Sequence, residues 1–425
     1  MAKIAIVNIG MHGHVNPTLG FTEALVHRGH TVLYYGSADF APQIQRTGAR
    51  FIDYPTAMGH LAVTQAKTMA DTGAKAWQGV SIHDSFTDEL SKTLPTLLSA
   101  FAADRPDVVV YNFIALAGRA AAHHLGIPAV KFFTTYTSNE SYDLMAETME
   151  RRLSADPAAA AAAAAALASA QLRCNDVCHS CGVPSIDLAS LMNHAEAANL
   201  VFLPRHFQPC CETFDQRYHF VGPCLRSTDL ISALDLVPPG TDPLAIVSLG
   251  SLFHTWPDFY KICLEYFAGK PWRVVMGIGP EIRPESLGEL PANVRLASHL
   301  PQVALLHQAD LFVSHGGMNS TMEALSLGVP LVVIPQMEEQ ELTAQQVDAL
   351  GLGRFLPRAE VNVDSLAAAI SYAVTPAVRA NLDTMQEALR VAGGIDRAVA
   401  VIEAAPRPSV TPGNFVNLTR TPAPR

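Results

Sequence analysis

Charge is scarce in this 425-residue chain: Asp, Glu, Lys and Arg together make up 16%, against 49% hydrophobic residues. Of the charged residues 29 are basic and 39 acidic, a formal net charge of −10. A nucleic-acid partner needs clustered Lys and Arg to displace phosphate counterions, so none is expected. No apolar run approaches the ~20 residues of a membrane span. The longest candidate, 158–166, is alanine throughout and reads as a helix. Lys3 leads directly into a strand-like IAIVNIG, too short and wrongly flanked for a secretory leader. Seven cysteines, an odd number, suit free thiols in a reducing cytoplasm. Cys174, Cys178 and Cys181 do match the Cys-x3-Cys-x2-Cys spacing of iron–sulfur ligands, and His179, Cys210 and Cys211 could suggest zinc. The triplet follows an alanine-rich helix with no barrel pattern around it, so buried or half-buried thiols are the expectation.

What is abundant is alternation of short apolar runs with helical spacing, over a length that implies two domains. The most informative stretch is 309–345. Leu311–Val313 is a buried strand that stops at Ser314-His315-Gly316-Gly317. Helical spacing follows (Met322, Leu325, Leu327), then a second strand, Leu331–Ile334, ended by Pro335. This is a βαβ unit whose Gly-rich turn lies at the sheet's carboxyl edge. A helix starting there offers free N–H groups and the positive end of its dipole, an anion site that needs no metal. Gly316 and Gly317 allow close approach of a phosphate, Asn319, Ser320 and Thr321 add donors, and Glu323 can accept from sugar hydroxyls. Leu244–Leu249 followed by Gly250-Ser251 repeats the pattern of a glycine and a hydroxyl at a strand's carboxyl end.

The amino-terminal half opens with a strand, Ala2–Ile9, a turn from Gly10 to Pro17, a helix facing inward through Leu19, Phe21, Leu25 and Val26, and a strand, Thr31–Tyr35. The spacing Gly10-x-x-Gly13 is not G-x-G-x-x-G, which disfavours a hydride-transfer cofactor. Strands run over Asp107–Tyr111 and Pro128–Phe133, the second ending in Thr134-Thr135-Tyr136, and the first places Asn112 on the same rim as His14. The excursion 56–95, with Trp77, Val80, Ile82, Phe86, Leu90 and Leu94 on a helix, is a place for substrate-shaping loops. Tyr142, Met145, Met149, Leu188, Leu191 and Met192 read as core before they read as pocket. Gly222-Pro223 and Pro238-Pro239-Gly240 mark a linker. The division is then 1–205, a first Rossmann-like domain; 206–243, linker; 244–378, a second such domain; 379–405, a terminal helix within Val378–Ile402; and 406–425, a Pro-rich tail expected to be mobile.

The segments HGGMNSTMEAL and GVPLVVIPQMEEQ resemble the nucleotide-sugar signature of the GT-B glycosyltransferases of family 1, and within them the bacterial macrolide and flavonoid enzymes; the resemblance runs over residues 3–405. It implies an α/β fold of two doubly wound domains facing across a cleft. It assigns His315, Gly317, Asn319 and Ser320 to the diphosphate, Glu323 to the ribose, and Glu339 and Gln340 to hydroxyls of the donor sugar. Ser251 matches the donor-phosphate residue, and His299 and Gln302 the positions that stack on and flank the nucleobase. A histidine stacks less extensively than the usual aromatic ring, so uridine and thymidine both stay open. The last helix of the family crosses back to brace the first domain.

In the same family the residue at His14 is the general base and an aspartate usually stands where this chain has Asn112. The expectation is that the amide accepts from the imidazole N–H and fixes its tautomer without offsetting an imidazolium charge. That favours acidic or already nucleophilic acceptors. The resemblance therefore implies an inverting, metal-independent transferase moving glucose from UDP-glucose to a macrolide, flavonoid or similar phenol in the cytoplasm, with no cofactor beyond the donor. Alternatives are a dTDP-deoxysugar donor, a GT-B-type epimerase, or a catalytically weak nucleotide-sugar binder.

Overall fold

The computed structural model describes residues 1–56, 58, 82–144, 157–226, 234–250 and 255–405. The first half is built from β1 (Lys3–Val7), α1 (His12–His27), β2 (Thr31–Gly36), α2 (Ala41–Arg46), β3 (Arg50–Asp53), α3 (Ile82–Asp104), β4 (Val108–Asn112), α4 (Leu116–His124), β5 (Ala129–Phe133), α5 (Pro157–Ser180), β6 (Ala198–Val201) and β7 (Tyr218–Phe220). Its seven strands pair in the order β3-β2-β1-β4-β5-β6-β7, every pair parallel. Both faces are covered, which is why β1, β4 and β5 are apolar without alternation. One face packs Val7, Val109 and Tyr111 against α3, α4 and α5, and the other packs Ile4, Ile6 and Val110 against α1 and the chain's last helix.

The second half holds β8 (Leu244–Ser248), α6 (Pro257–Phe267), β9 (Arg273–Gly277), β10 (Val294–Ala297), α7 (Gln302–Leu306), β11 (Leu311–Ser314), α8 (Met318–Ser326), β12 (Leu331–Val333), α9 (Glu338–Ala349), β13 (Gly353–Phe355), α10 (Val363–Ala373), α11 (Pro376–Ala392) and α12 (Gly394–Glu403). Six parallel strands run β10-β9-β8-β11-β12-β13. In each sheet the order reverses beside the first strand, between β1 and β4 and between β8 and β11. The crevice outside such a switch point, at the strands' carboxyl ends, is where doubly wound sheets bind ligands. One apolar cluster joins the halves, from Phe133, Tyr136 and Phe207 to Met318, Leu325 and Leu382.

Several expectations change. Residues 10–17 are not all turn: α1 begins at His12 and carries Pro17 inside it. The stretch read as linker from 206 contributes β7, which hydrogen-bonds to β6 as the edge of the first sheet. The helix expected over Val378–Ile402 is two, because Gly393 adopts φ of +89° and turns the chain between α11 and α12. Trp77, Val80, Met145, Met149 and the tail from 406 lie outside the described residues. Tyr142, Leu188 and Leu191 are core, and Met192 packs against it. All seven cysteines are free. Cys174 and Cys178, one turn apart on α5, are buried in the apolar cluster under α3. Among the described residues only His123, His194 and Glu196 stand close enough together to share an ion.

Candidate functional site: two switch points across one crevice

At the first switch point β1 delivers Asn8 and α1 delivers His14, while β4 ends on Asn112. His14 Nδ1 lies 2.8 Å from Asn112 Nδ2 and 3.3 Å from Thr134 Oγ1 at the end of β5. Phe113 stacks on the imidazole, ring centroids 5.9 Å apart. Two residues of one rim thus converge on a single ring nitrogen, and a third covers the ring's face. The expected direction of the amide bond is reversed, however. Asn112 Oδ1 is occupied by the Ile114 N–H at 3.1 Å, and its Nδ2 donates to Asn8 Oδ1 at 3.1 Å. Its second amide hydrogen faces His14 Nδ1, so the amide donates to the ring and does not accept from it. Burial pushes the His14 pKa down to about 4. A hydrogen bond from residue 112 opposes that only with oxygen toward the ring, and here nitrogen faces it.

At the second switch point Ser248 and Ser314 sit in register on β8 and β11. Each hydroxyl accepts from the N–H two residues on, Gly250 and Gly316, both at 3.2 Å. The His315 ring lies between Gly250 and Gly317: a Cβ at either would stand 2.5 Å from the ring. These glycines are therefore demanded by the imidazole as well as by any ligand. Gly316 has φ of +83°, the left-handed conformation that turns the chain into α8. Burial lowers the His315 pKa to about 4, with a hydrogen bond to the Ser248 carbonyl opposing it. Its Nδ1 is buried without a partner among the described residues. The N–H groups that open α8 make a pocket suited to an anion, and the orphan nitrogen joins them as a donor only once it is protonated. Gln302 braces it from α7, donating to Ser320 Oγ at 3.0 Å and Glu323 Oε2 at 2.6 Å.

The two centres touch. Asn319, at the start of α8, donates to the Gly13 carbonyl at 2.8 Å, one residue before His14. Pro17 is the reason that carbonyl is free, since proline has no N–H to close the helical bond to residue 13. Thr135 donates to Glu339 Oε1 at 2.5 Å across the same gap. Glu339 is exposed at the crevice mouth, yet desolvation of its carboxyl between the halves raises its pKa, with Thr135 opposing. Burial lowers the His12 pKa, and exposed His299 lies near enough to add to that. Gln340 is buried, and its Oε1 accepts from the Gln336 N–H at 2.8 Å.

Residues 273–392 match the family model described as erythromycin biosynthesis protein CIII-like, C-terminal domain. Over 410 residues, 96% of this chain and 98% of the relative, the sequence is 40% identical to the NDP-glycosyltransferase YjiC of Bacillus subtilis (strain 168). The chain belongs to the GT-B glycosyltransferases. It is also 34% identical, over 95% of its length and 86% of the relative's, to the demethyllactenocin mycarosyltransferase of Streptomyces fradiae. Among solved structures, the glycotransferase of kitacinnamycin superposes with a TM-score of 0.79 at 35% identity, covering 95% of this chain and 98% of that one.

For a glycosyltransferase of this fold, the structure gathers His14, Asn112, Gln302, His315, Gly317, Asn319, Ser320, Glu323, Glu339 and Gln340 along the facing rims of two switch points. Ser251 lies outside the described residues. Asn8, Thr134 and Thr135 join the site unanticipated. Asn8 had a signal in the sequence, the polar residue that interrupts the apolar run 4–9 just past the end of β1.

Proposed function

We propose that the protein transfers glucose from UDP-glucose, with inversion and without a metal, to a nucleophilic group of an apolar small molecule such as a phenol. The observation that carries this reading is the Asn319–Gly13 hydrogen bond, which brings the amide-rich start of α8 against the segment bearing His14. A diphosphate over α8 and an acceptor over His14 are then neighbours in one crevice. The acceptor attacks the anomeric carbon on the face opposite the diphosphate, and the bonding pair of the broken C–O bond leaves with the phosphate. Charge building there is met by the helix dipole, the N–H groups of α8 and, once the diphosphate has brought it a proton, His315, a substitute for a cation. Apposed domains keep water from the donor. A mycarosyltransferase at 34% identity makes a deoxysugar donor the second reading.

The test incubates the protein with UDP-glucose or dTDP-glucose and a panel of phenols and macrolides, with and without EDTA. Glycoside formation from UDP-glucose that persists in EDTA is expected. No glycoside from either donor rejects the reading, and loss of turnover in EDTA rejects its metal-independence.

A further inference from the structure

The polarity of the hydrogen bonds beneath His14 is set from one end to the other. Thr18 donates its hydroxyl hydrogen to the Val15 carbonyl at 2.6 Å, so at its 2.7 Å contact with Tyr34 it accepts. The Tyr34 hydrogen is thereby committed, and Tyr34 accepts from Asn8 Nδ2 at 2.8 Å. Asn8 Nδ2 also donates to the His14 carbonyl at 2.8 Å, leaving Asn8 Oδ1 to accept from the Ile9 N–H at 2.9 Å and from Asn112. Turning the Asn112 amide over would set oxygen against oxygen at Asn8 and N–H against N–H at Ile114. Thr18, Tyr34, Asn8 and Asn112 are fully buried, so no water repairs such a mismatch. The second amide hydrogen of Asn112 therefore points at His14 Nδ1, which has to be the unprotonated nitrogen.

We infer that Asn112 is a positioning residue that holds neutral His14 with its proton on Nε2, so that His14 meets the acceptor as a hydrogen-bond donor and the acceptor attacks already ionised. The inference rests on the glycosyl-transfer reading above. An Nε2–H ring cannot take a proton at Nε2. The phenol loses its proton to water before attack, the phenolate oxygen forms the new bond to the anomeric carbon, and the diphosphate oxygen leaves with the old bonding pair. His14 keeps its proton throughout, and its N–H stabilises the phenolate in the bound complex. Among the described residues no charged side chain bears on the ring: its partners are Asn112, Phe113 and Thr134. The titratable groups linked to it are Tyr34 through Asn8, His12 on the same helix, and Glu339 through Thr135, the neighbour of Thr134. The substrate class that follows is acidic nucleophiles, phenols and thiols, over aliphatic alcohols.

The two chemistries have opposite pH signatures. If His14 is a base, the neutral phenol reacts, and kcat/KM is flat at neutral pH and falls above the phenol's pKa. If His14 is a donor, the phenolate reacts, and kcat/KM climbs about tenfold per pH unit to the phenol's pKa and then levels. With the wild-type enzyme and a series of substituted phenols we expect the second profile, its break moving with each phenol. We expect alkanols to be slower by about 100-fold or more, the usual worth of a missing general base. Asn112→Asp should invert the profile and accelerate alkanols. A profile that falls above the phenol's pKa in the wild type overturns the inference, as does one that stays unchanged in a folded Asn112→Asp variant. Nitrogen-15 NMR of histidine-labelled wild type, assigned by the resonances lost in His14→Gln, reads the tautomer without turnover and without Asn112→Asp. A protonated Nδ1 overturns the inference even if glycosides form. No glycoside from any acceptor sinks the functional reading instead.

Discussion

His315 shows what a single residue contributes at this site. Its ring occupies the room that side chains at Gly250 and Gly317 would need, and its Nδ1 is left without a partner in a buried place. A neutral imidazole with its other nitrogen on the Ser248 carbonyl offers an anion only a lone pair, so a diphosphate binds best when it brings a proton to Nδ1. Both His315 and His14 are lowered from 6.5 to about 4. The unfolded chain then binds protons that the folded one refuses between these values, so their stability contribution is complete above pH 6.5 and lost as pH falls toward 4. At about 1.4 kcal/mol per pKa unit, discounted for two half-buried rings, the loss is on the order of 2–4 kcal/mol. Thermal melts from pH 7 to 4 should show it, UDP should reduce it, and His315→Gln should remove the effect of UDP. A melt insensitive to pH over this window refutes the assignment. The chemistry of His14 and Asn112 was visible in the sequence as two polar residues on one rim. The direction of their hydrogen bond was not, because it depends on Ile114, Asn8, Tyr34 and Thr18, none of which a motif singles out.

Among the elements, α1 carries most of the site's construction. It starts at His12, sooner than a histidine- and proline-bearing segment suggests, because the orphaned Gly13 carbonyl that Pro17 creates finds Asn319. One turn further, Gly20 lets other chain segments cross the helix. A Cβ there would meet the Cys224 carbonyl at 2.4 Å and Ile395 Cδ1 at 2.9 Å. Gly20→Ala should therefore cost about 1–3 kcal/mol by overpacking, although alanine favours helix elsewhere. Denaturant titration checks this, and an unchanged or raised midpoint would show that the crossing is looser than the geometry demands. The long parallel strands could be read from their apolar runs. The strands β3, β7 and β13, only three or four residues at the sheets' edges, could not, since so short a run has no period and borrows its conformation from a neighbour.

At the scale of the whole molecule, α12 makes the two halves one folding problem. It leaves α11 at the left-handed Gly393, hydrogen-bonds Gly394 N to the Val221 carbonyl at 2.8 Å, and lies on α1. Arg28 reaches Asp396 at 3.0 Å and Glu403 at 3.1 Å, but these pairs are exposed and worth little. The weight lies in Ala398, Val399, Val401 and Ile402, buried in the apolar cluster that also holds Ile4, Val15 and Phe21. Withdrawing three large aliphatic side chains from such a cluster costs roughly 5–8 kcal/mol, comparable with the ~5–15 kcal/mol stability of an ordinary protein. A chain ending at Gly393 should accordingly be insoluble, or melt roughly 10 °C or more below one ending at Ala405. The lower melt should appear in the first domain, read by proteolysis at its exposed α1 face, even though every deleted residue follows the second domain in sequence. Equal midpoints for the two chains would mean that the amino-terminal sheet closes its own core, and that α12 serves only to aim one half at the other.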